Sequence, residues 1–268
     1  MPATLSARVR LLSGGSARKT DSHDARSTAI AALHGRRLRQ VTLEDTTMVL
    51  RLLSDRRDQL SRERNRIVCR MHVQFRHLRA GGAKTSLTAD QAGRLLRTIR
   101  GDGVVDEHRR QLLRELLADL RRVDRQLSDI DGRIHQAVVA SGTTLTDIVG
   151  VGPILAAVIL GHVGDVARFP SRGHFASYAG TAPIEASSAD RSVHRLSRRG
   201  NRRLNAAIHM VVLSQLSHDS VGRAYLDRRM DEGKTRREAM RALKRQLSNV
   251  IYRHLVADAQ SIKIPAAA

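Results

Sequence analysis

The sequence predicts a mainly α-helical protein, and three observations predict it. Leu113, Leu116, Leu120, Val123, Leu127, Ile130, Ile134 and Ala137 recur at alternating steps of three and four, the spacing of a heptad seam. Between residues 41 and 140 only Ala80-Gly81-Gly82 and Gly101-Asp102-Gly103 carry turn signals. Near the C-terminus, Ala239, Leu243, Leu247, Val250, Ile251, His254 and Leu255 share one stripe of a helix expected from about Lys234 to Val256.

In chain order, residues 1–40 read as a basic loop, punctuated at Ser13-Gly14-Gly15-Ser16, and then a short apolar helix from about Ser22 to Leu33. Residues 41–140 read as long coiled-coil helices. The first carries Leu53, Leu60 and Ile67 seven apart, and the second carries the heptad seam. The Gly-rich breaks allow an antiparallel hairpin within one chain, and the same seam could equally pair two protomers. Residues 141–262 are richer in glycine with shorter apolar runs, and read as a compact helical domain whose last helix faces outward with Arg236, Arg237, Arg241, Lys244 and Arg245. Residues 263–268 are expected to form a disordered tail.

Charge narrows the partners. With 47 Lys plus Arg against 26 Asp plus Glu, the formal net charge is +21, nearly all of it arginine. Such a chain repels itself unless a polyanion supplies counter-charge, and the planar guanidinium suits phosphate. The excess is clustered: Arg191, Arg195, Arg198, Arg199, Arg202 and Arg203 fall in one stretch without an acid. Aromatic residues are only 2% of the chain and Trp is absent, which argues against a base-stacking platform for single strands. No apolar run is long enough to span a membrane, and no basic helix rimmed with Trp or Phe suits a membrane surface. The opening MPATLSARVR lacks the apolar core of a secretory signal. A single cysteine, Cys69, excludes a disulfide framework and fits a reducing compartment.

Three constellations could carry chemistry. From Leu145 to Leu160, the series Leu145-x-x-Ile148-x-Gly150-Val151-Gly152-Pro153 followed by Ala156 and Ile159 resembles a helix-hairpin-helix of sequence-nonspecific DNA binders. There Gly150 and Gly152 let the backbone approach a phosphate, and the second helix offers free N–H groups. The rival reading is a Gly-capped turn between packed helices. Second, Asp21 and Asp24 are three residues apart at a helix start, where they project from one face as shared Mg²⁺ ligands must; equally, they could serve the helix end alone. Third, Ser187-Ser188 precedes the arginine-rich stretch, where a hydroxyl could attack a phosphodiester held by cations.

In this order the three resemble a DEDD transposase of the insertion-sequence-110 family, which includes the 116 and 902 elements. The resemblance is carried by Arg18-Lys19-Thr20-Asp21 with Asp24-Ala25 and by Ile148-x-Gly150-Val151-Gly152-Pro153. It continues through Phe175-Ala176-Ser177-Tyr178-Ala179-Gly180-Thr181-Ala182-Pro183, Ser187-Ser188 and Arg198-Arg199-Gly200-Asn201-Arg202-Arg203-Leu204, and closes with Gly233-Lys234 through Arg253. It implies an N-terminal RuvC-like nuclease domain, a coiled-coil link and a C-terminal transposase domain. Four acids would bind Mg²⁺, a serine would form a phosphoserine intermediate, and an element-encoded guide RNA would select the DNA. Asp21 and Asp24 match the last two acids. Ser188 matches the nucleophile, with Ser187 as the alternative because Ala189 stands where the family usually has glycine. The family's other two acids lie upstream of Lys19-Thr20-Asp21. The twenty residues preceding Asp21 contain neither, so residues 1–40 are expected to be a remnant of that domain, inactive alone. The resemblance further implies partners in DNA, guide RNA and a homo-oligomer, and a cytoplasmic, nucleoid-associated location. The alternatives are a catalytically silent nucleic-acid-binding repressor and a coiled-coil scaffold.

Overall fold

The computed structural model of the chain describes residues 9, 20–34, 45–185, 194–196 and 200–263. Ser187, Ser188, Arg191, Arg198, Arg199 and the expected tail from 264 onward lie outside the described residues. The chain divides into two units, Met1–Glu44 and Asp45–Ala268.

In the first unit, α1 runs from Asp21 to His34. The Thr20 hydroxyl accepts from the His23 N–H at 3.4 Å, so this threonine satisfies one of the donors that a helix start leaves open. Asp21 and Asp24 both fall in the first turn, where the helix dipole favours anions.

The second unit is helical apart from one two-stranded ribbon among the described residues. Helix α2 (Thr46–Leu78) starts at Asp45, whose carboxylate accepts from the N–H groups of Thr47 and Met48. Helix α3 (Ala89–Thr98) starts with a capping box between Thr88 and Gln91. Helix α4 (Val104–Ala140) returns along α2. The pair is antiparallel, because Arg57 meets Asp131 at 2.6 Å and Arg64 meets Asp124 at 2.7 Å. Leu113, Leu120, Val123 and Ile134 are fully buried in the seam, against Leu60, Met71 and Phe75 of α2 and their neighbours in one core. Of the two pairings open to the seam, the structure adopts the hairpin within one chain. These residues are therefore spent inside the molecule and give a homo-oligomer no separate support.

A 3-10 turn, Thr144–Asp147, follows, then α5 (Pro153–Val163), a second 3-10 turn (Val166–Arg168) and α6 (Arg172–Tyr178). Strands β1 (Pro183–Glu185) and β2 (His194–Leu196) pair antiparallel, with Pro183 opposite Leu196, Ile184 opposite Arg195 and Glu185 opposite His194. Helices α7 (Arg202–Leu216), α8 (Val221–Asp231) and α9 (Arg236–Lys263) complete the unit.

Helix α5 is apolar all round, which marks it as the centre of this half. It packs against α2, α4 and α7, and so joins the hairpin to the rest in one core. The change of texture at residue 141 thus marks no break in packing. Helix α9 covers the other side: Ala239, Leu243, Leu247, Ile251 and Leu255 are buried, as the stripe predicts. Its expected end at Val256 is overrun to Lys263, since alanines and polar residues give the helix no reason to stop. No helix among the described residues is long and apolar enough to cross a membrane.

Candidate nucleic-acid interface

Two of the sequence motifs are brought together at the root of the β1–β2 ribbon. Gly200, at φ +105°, lies so close to α6 that a Cβ there would sit 2.6 Å from the Tyr178 carbonyl oxygen. Only glycine meets both demands. The next residue, Asn201, donates its backbone N–H to that same carbonyl at 2.7 Å. Its Oδ1 caps α7 by accepting from the N–H groups of Arg203 and Leu204, each at 3.0 Å. Its Nδ2 donates to the Tyr178 hydroxyl at 3.0 Å and to His162 Nδ1 at 3.2 Å. The Tyr178 hydroxyl in turn donates to the His162 carbonyl. One asparagine side chain therefore ties α5, α6 and the start of α7.

The β1 side of the same root is held by α9. Thr181 and Ser248, both buried, share a hydrogen bond of 2.6 Å. One turn earlier, Lys244 donates to Asn205 Oδ1 at 2.7 Å, and Asn205 Nδ2 donates to the carbonyls of Ala179 and Gly180. Lys244 is thus turned inward, away from the outward basic face expected of it, and burial pushes its pKa down. Arg245 likewise bonds Asn249 and the Arg172 carbonyl. Both roots of the segment carrying Ser187 and Ser188 are fixed on packed helices, and those serines belong to the connection between β1 and β2.

His162 is the residue that the sequence gives no hint of. It is 7% exposed, and its Nε2 stands 4.0 Å from Asp55 of α2. Its pKa is lowered, first by burial and then by the positive charges of Arg51 and Arg203, which outweigh the opposing pull of Asp55. The imidazole is neutral at neutral pH, and an unprotonated Nδ1 is what the Asn201 amide requires.

The expected cation cluster divides. Arg203 bonds Asp58 at 2.6 Å, which holds the Asp58 carboxyl below its ordinary range and raises the arginine's own pKa. This corrects its expected role: Arg203 is an anchor between α7 and α2, its charge spent on Asp58. Arg202 is exposed on the first turn of α7. Arg195 is paired through its backbone with Ile184. The remaining arginines of the cluster lie outside the described residues.

The helix-hairpin-helix expectation is also corrected in its first half. The segment before Gly150 is a single 3-10 turn, not an α-helix, and Asp258 of α9 holds its start. That carboxylate accepts from the Thr143 hydroxyl and the Thr144 hydroxyl, each at 2.7 Å, and from the Thr144 N–H. The glycines also differ. Gly150, at φ +89°, packs on α7, where a Cβ would come within 3.2 Å of the Val211 carbonyl oxygen and 3.0 Å of Ser214 Cβ. Its reason is structural. Gly152 is exposed, and a Cβ there would meet open space. It is the N-cap of α5 and has Pro153 after it, so the N–H groups of the first turn beside it have no acceptor within the helix.

Asp21 is exposed and Asp24 half-buried on α1. Among the described residues no three of His, Cys, Asp or Glu come together as a metal would need. Two carboxylates in one helical turn do not make a self-sufficient Mg²⁺ site.

The comparisons bear on these segments directly. A family model described as transposase, IS116/IS110/IS902 family, matches residues 142–227. A second, a DEDD transposase model for IS110, matches residues 1–79. Among curated proteins, the insertion element IS110 uncharacterized 43.6 kDa protein of Streptomyces coelicolor is 34% identical over 158 residues, 58% of this chain and 38% of that protein. The insertion element IS900 uncharacterized 42 kDa protein of Mycobacterium paratuberculosis is 31% identical over 141 residues, 51% of this chain and 35% of the relative. The chain thus spans little more than a third of the length of the relatives it matches. The two family models together cover more than half of the chain, including the Asp21–Asp24 helix and the packed roots of the ribbon, and the chain belongs to the IS116/IS110/IS902 transposase family.

Proposed function

We propose that this chain acts in DNA recombination and transposition as part of an insertion-sequence transposase, with Ser188 as the nucleophile that cleaves and rejoins a strand. The Ser188 oxygen would attack a backbone phosphorus and form a serine phosphodiester. The bond to the departing sugar oxygen would break, and that oxygen would take up the proton the serine loses. Reversal with a different sugar hydroxyl would rejoin the strand. Arg191, Arg195, Arg198, Arg199 and Arg202 would hold the phosphate and offset charge in the transition state. One observation carries this reading: the two motifs flanking the serine pair converge, through Gly200, Asn201 and Tyr178, on one rigid root. A nucleophile needs that fixity to be aimed.

Asp21 and Asp24 are the Mg²⁺-binding residues of this reading, supported by the family motif around them; further ligands would be needed beside them. A guide RNA as second polyanion is supported by the family and by the charge of +21. Self-association of several copies belongs to the same proposal. Gly152 and the N-terminus of α5 would contact a phosphate without reading sequence.

The test is covalent capture. The purified chain is incubated with Mg²⁺, a nicked duplex of its own element's termini and RNA transcribed from that element, then denatured. An adduct that survives denaturation, persists in Ser187→Ala and vanishes in Ser188→Ala is the expected result. Loss in Ser187→Ala alone would transfer the role to that residue. No adduct, but binding that weakens steeply with salt, would favour the second reading, a silent binder. That reading has one observation on its side: the formal charge of +21 suits a polyanion whether or not a strand is cut.

A further inference from the structure

Arg168 is a cation held by aromatic rings instead of an acid. It ends the second 3-10 turn, and its guanidinium carbon lies 4.3 Å from the ring centre of Tyr178 and 4.6 Å from that of Phe169. The two rings are themselves in contact, with centres 5.2 Å apart, and the Tyr178 hydroxyl is locked between Asn201 and the His162 carbonyl. The platform beneath the guanidinium is therefore tied to α5 and to the start of α7. The acid nearest in sequence, Asp165, is occupied in capping the Ala167 N–H at 2.8 Å. Among the described residues Arg168 has no salt-bridge partner, whereas Arg57, Arg64, Arg122 and Arg203 each have one. Stacking uses the face of a guanidinium and leaves its in-plane N–H groups free to grip two oxygens of one phosphate.

We propose that Arg168 contacts a backbone phosphate of duplex DNA, prepositioned by Tyr178 and Phe169 at the root of the arginine-rich segment. The aromatic pair fixes the plane of the cation before the ligand arrives, so little side-chain freedom is lost on binding. Tyr178 joins this contact to the Asn201 anchor of the serine segment, so that a duplex seated on Arg168 lies beside the nucleophile's root. The inference deepens the proposed function, since it rests on DNA being the partner.

The experiment measures affinity of the full chain for a labelled 40-base-pair duplex of mixed sequence across a salt series, beside a structured RNA of similar length. Arg168→Ala is expected to weaken duplex binding by about three- to tenfold at fixed salt and to flatten the log–log salt slope by about 0.9, the contribution of one phosphate contact. Arg168→Lys, which keeps charge without the stacked plane, should retain the slope and lose about twofold in affinity. Arg133→Ala on the hairpin, the partner of Asp129, is the matched charge deletion and should leave both unchanged. Should Arg168→Ala lower the melting temperature, Arg168→Gln carries the same measurement with a flat uncharged group. Unchanged affinity and slope, an equal loss in Arg133→Ala, or a loss confined to RNA would each overturn the proposal. Wild-type binding that does not respond to salt would instead overturn the DNA reading beneath it.

Discussion

Gly161 of α5 crosses Arg51 of α2 at backbone contact: a Cβ at position 161 would lie 2.6 Å from both the Arg51 Cα and its nitrogen. Nothing flexible can yield there, because the obstructing atoms are main chain. Gly161→Ala must separate the two helices that join the hairpin to the rest of the unit. We expect a loss of about 1–3 kcal/mol or more in urea unfolding. Wild-type stability in that variant would mean that the helices cross less closely than described.

The neighbouring His162 makes stability depend on pH. Its folded pKa is depressed below the ordinary 6.5, so the folded protein binds fewer protons than the unfolded chain once the pH falls under that value. The stabilisation is complete above about pH 6.5 and is lost as the pH drops from there toward the depressed pKa. His209, lowered by burial and by Lys244, acts in the same direction. Asp58 loses its pairing with Arg203 only at lower pH, below its ordinary 3.8. Chemical denaturation at pH 7.5 and pH 5 should therefore give a lower midpoint at pH 5, and His162→Gln, whose amide oxygen can accept from Asn201, should narrow the gap. A gap of the same size in that variant would count against His162 as the source.

The hairpin should depend on its seam far more than on its ion pairs. Leu120 is fully buried, and Leu120→Ala is expected to cost about 2–5 kcal/mol. Asp131→Asn removes the partner of Arg57 at a site 38% exposed, and should cost under about 1 kcal/mol. Thermal melts of the two variants side by side decide it.

The two glycines of the α5 turn should separate in their effects. Gly150→Ala forces an L-residue into positive φ against the Val211 carbonyl and should destabilise by about 1 kcal/mol or more. Gly152→Ala, with open space around it, should melt within a degree or two of wild type while weakening duplex binding. Normal binding by a stable Gly152→Ala would remove the helix-hairpin-helix argument for this turn.

Local patterning made some of this legible in advance. Leu113, Leu120 and Ile134 sit at heptad spacing and are all buried, and on α9 Ala239, Leu243, Leu247, Ile251 and Leu255, four apart, are buried while Val250 and His254 of the same stripe are only partly so. Helix periodicity is a property of neighbours in sequence, so the chain itself reports it. The choice of hairpin over dimer was not legible, because an apolar seam reads the same whichever helix covers it, and only the meeting of Arg57 with Asp131 and of Arg64 with Asp124 shows which one does. His162 carries no signal in the sequence for the same reason: Asp55, Tyr178 and Asn201 reach it from three separate helices or their caps. In sequence Arg203 is one more cation of its cluster, and its partner, Asp58, lies 145 residues away. The hold on the turn at Thr144 was hidden too, because its partner, Asp258, comes more than a hundred residues later.

Helix α2 runs 33 residues without a break, and α4 is splinted to it by buried leucines along the length. From the crossing at Arg51 to the far end at Leu78 this gives a rod of about 40 Å, at about 1.5 Å per residue. A rod of that stiffness works as a gauge. A partner docked on the distal turn around Gly81 and Gly82 would be kept that far from the crossing helix, and if the partner were a duplex the distance would match roughly a dozen base pairs, at about 3.4 Å per pair.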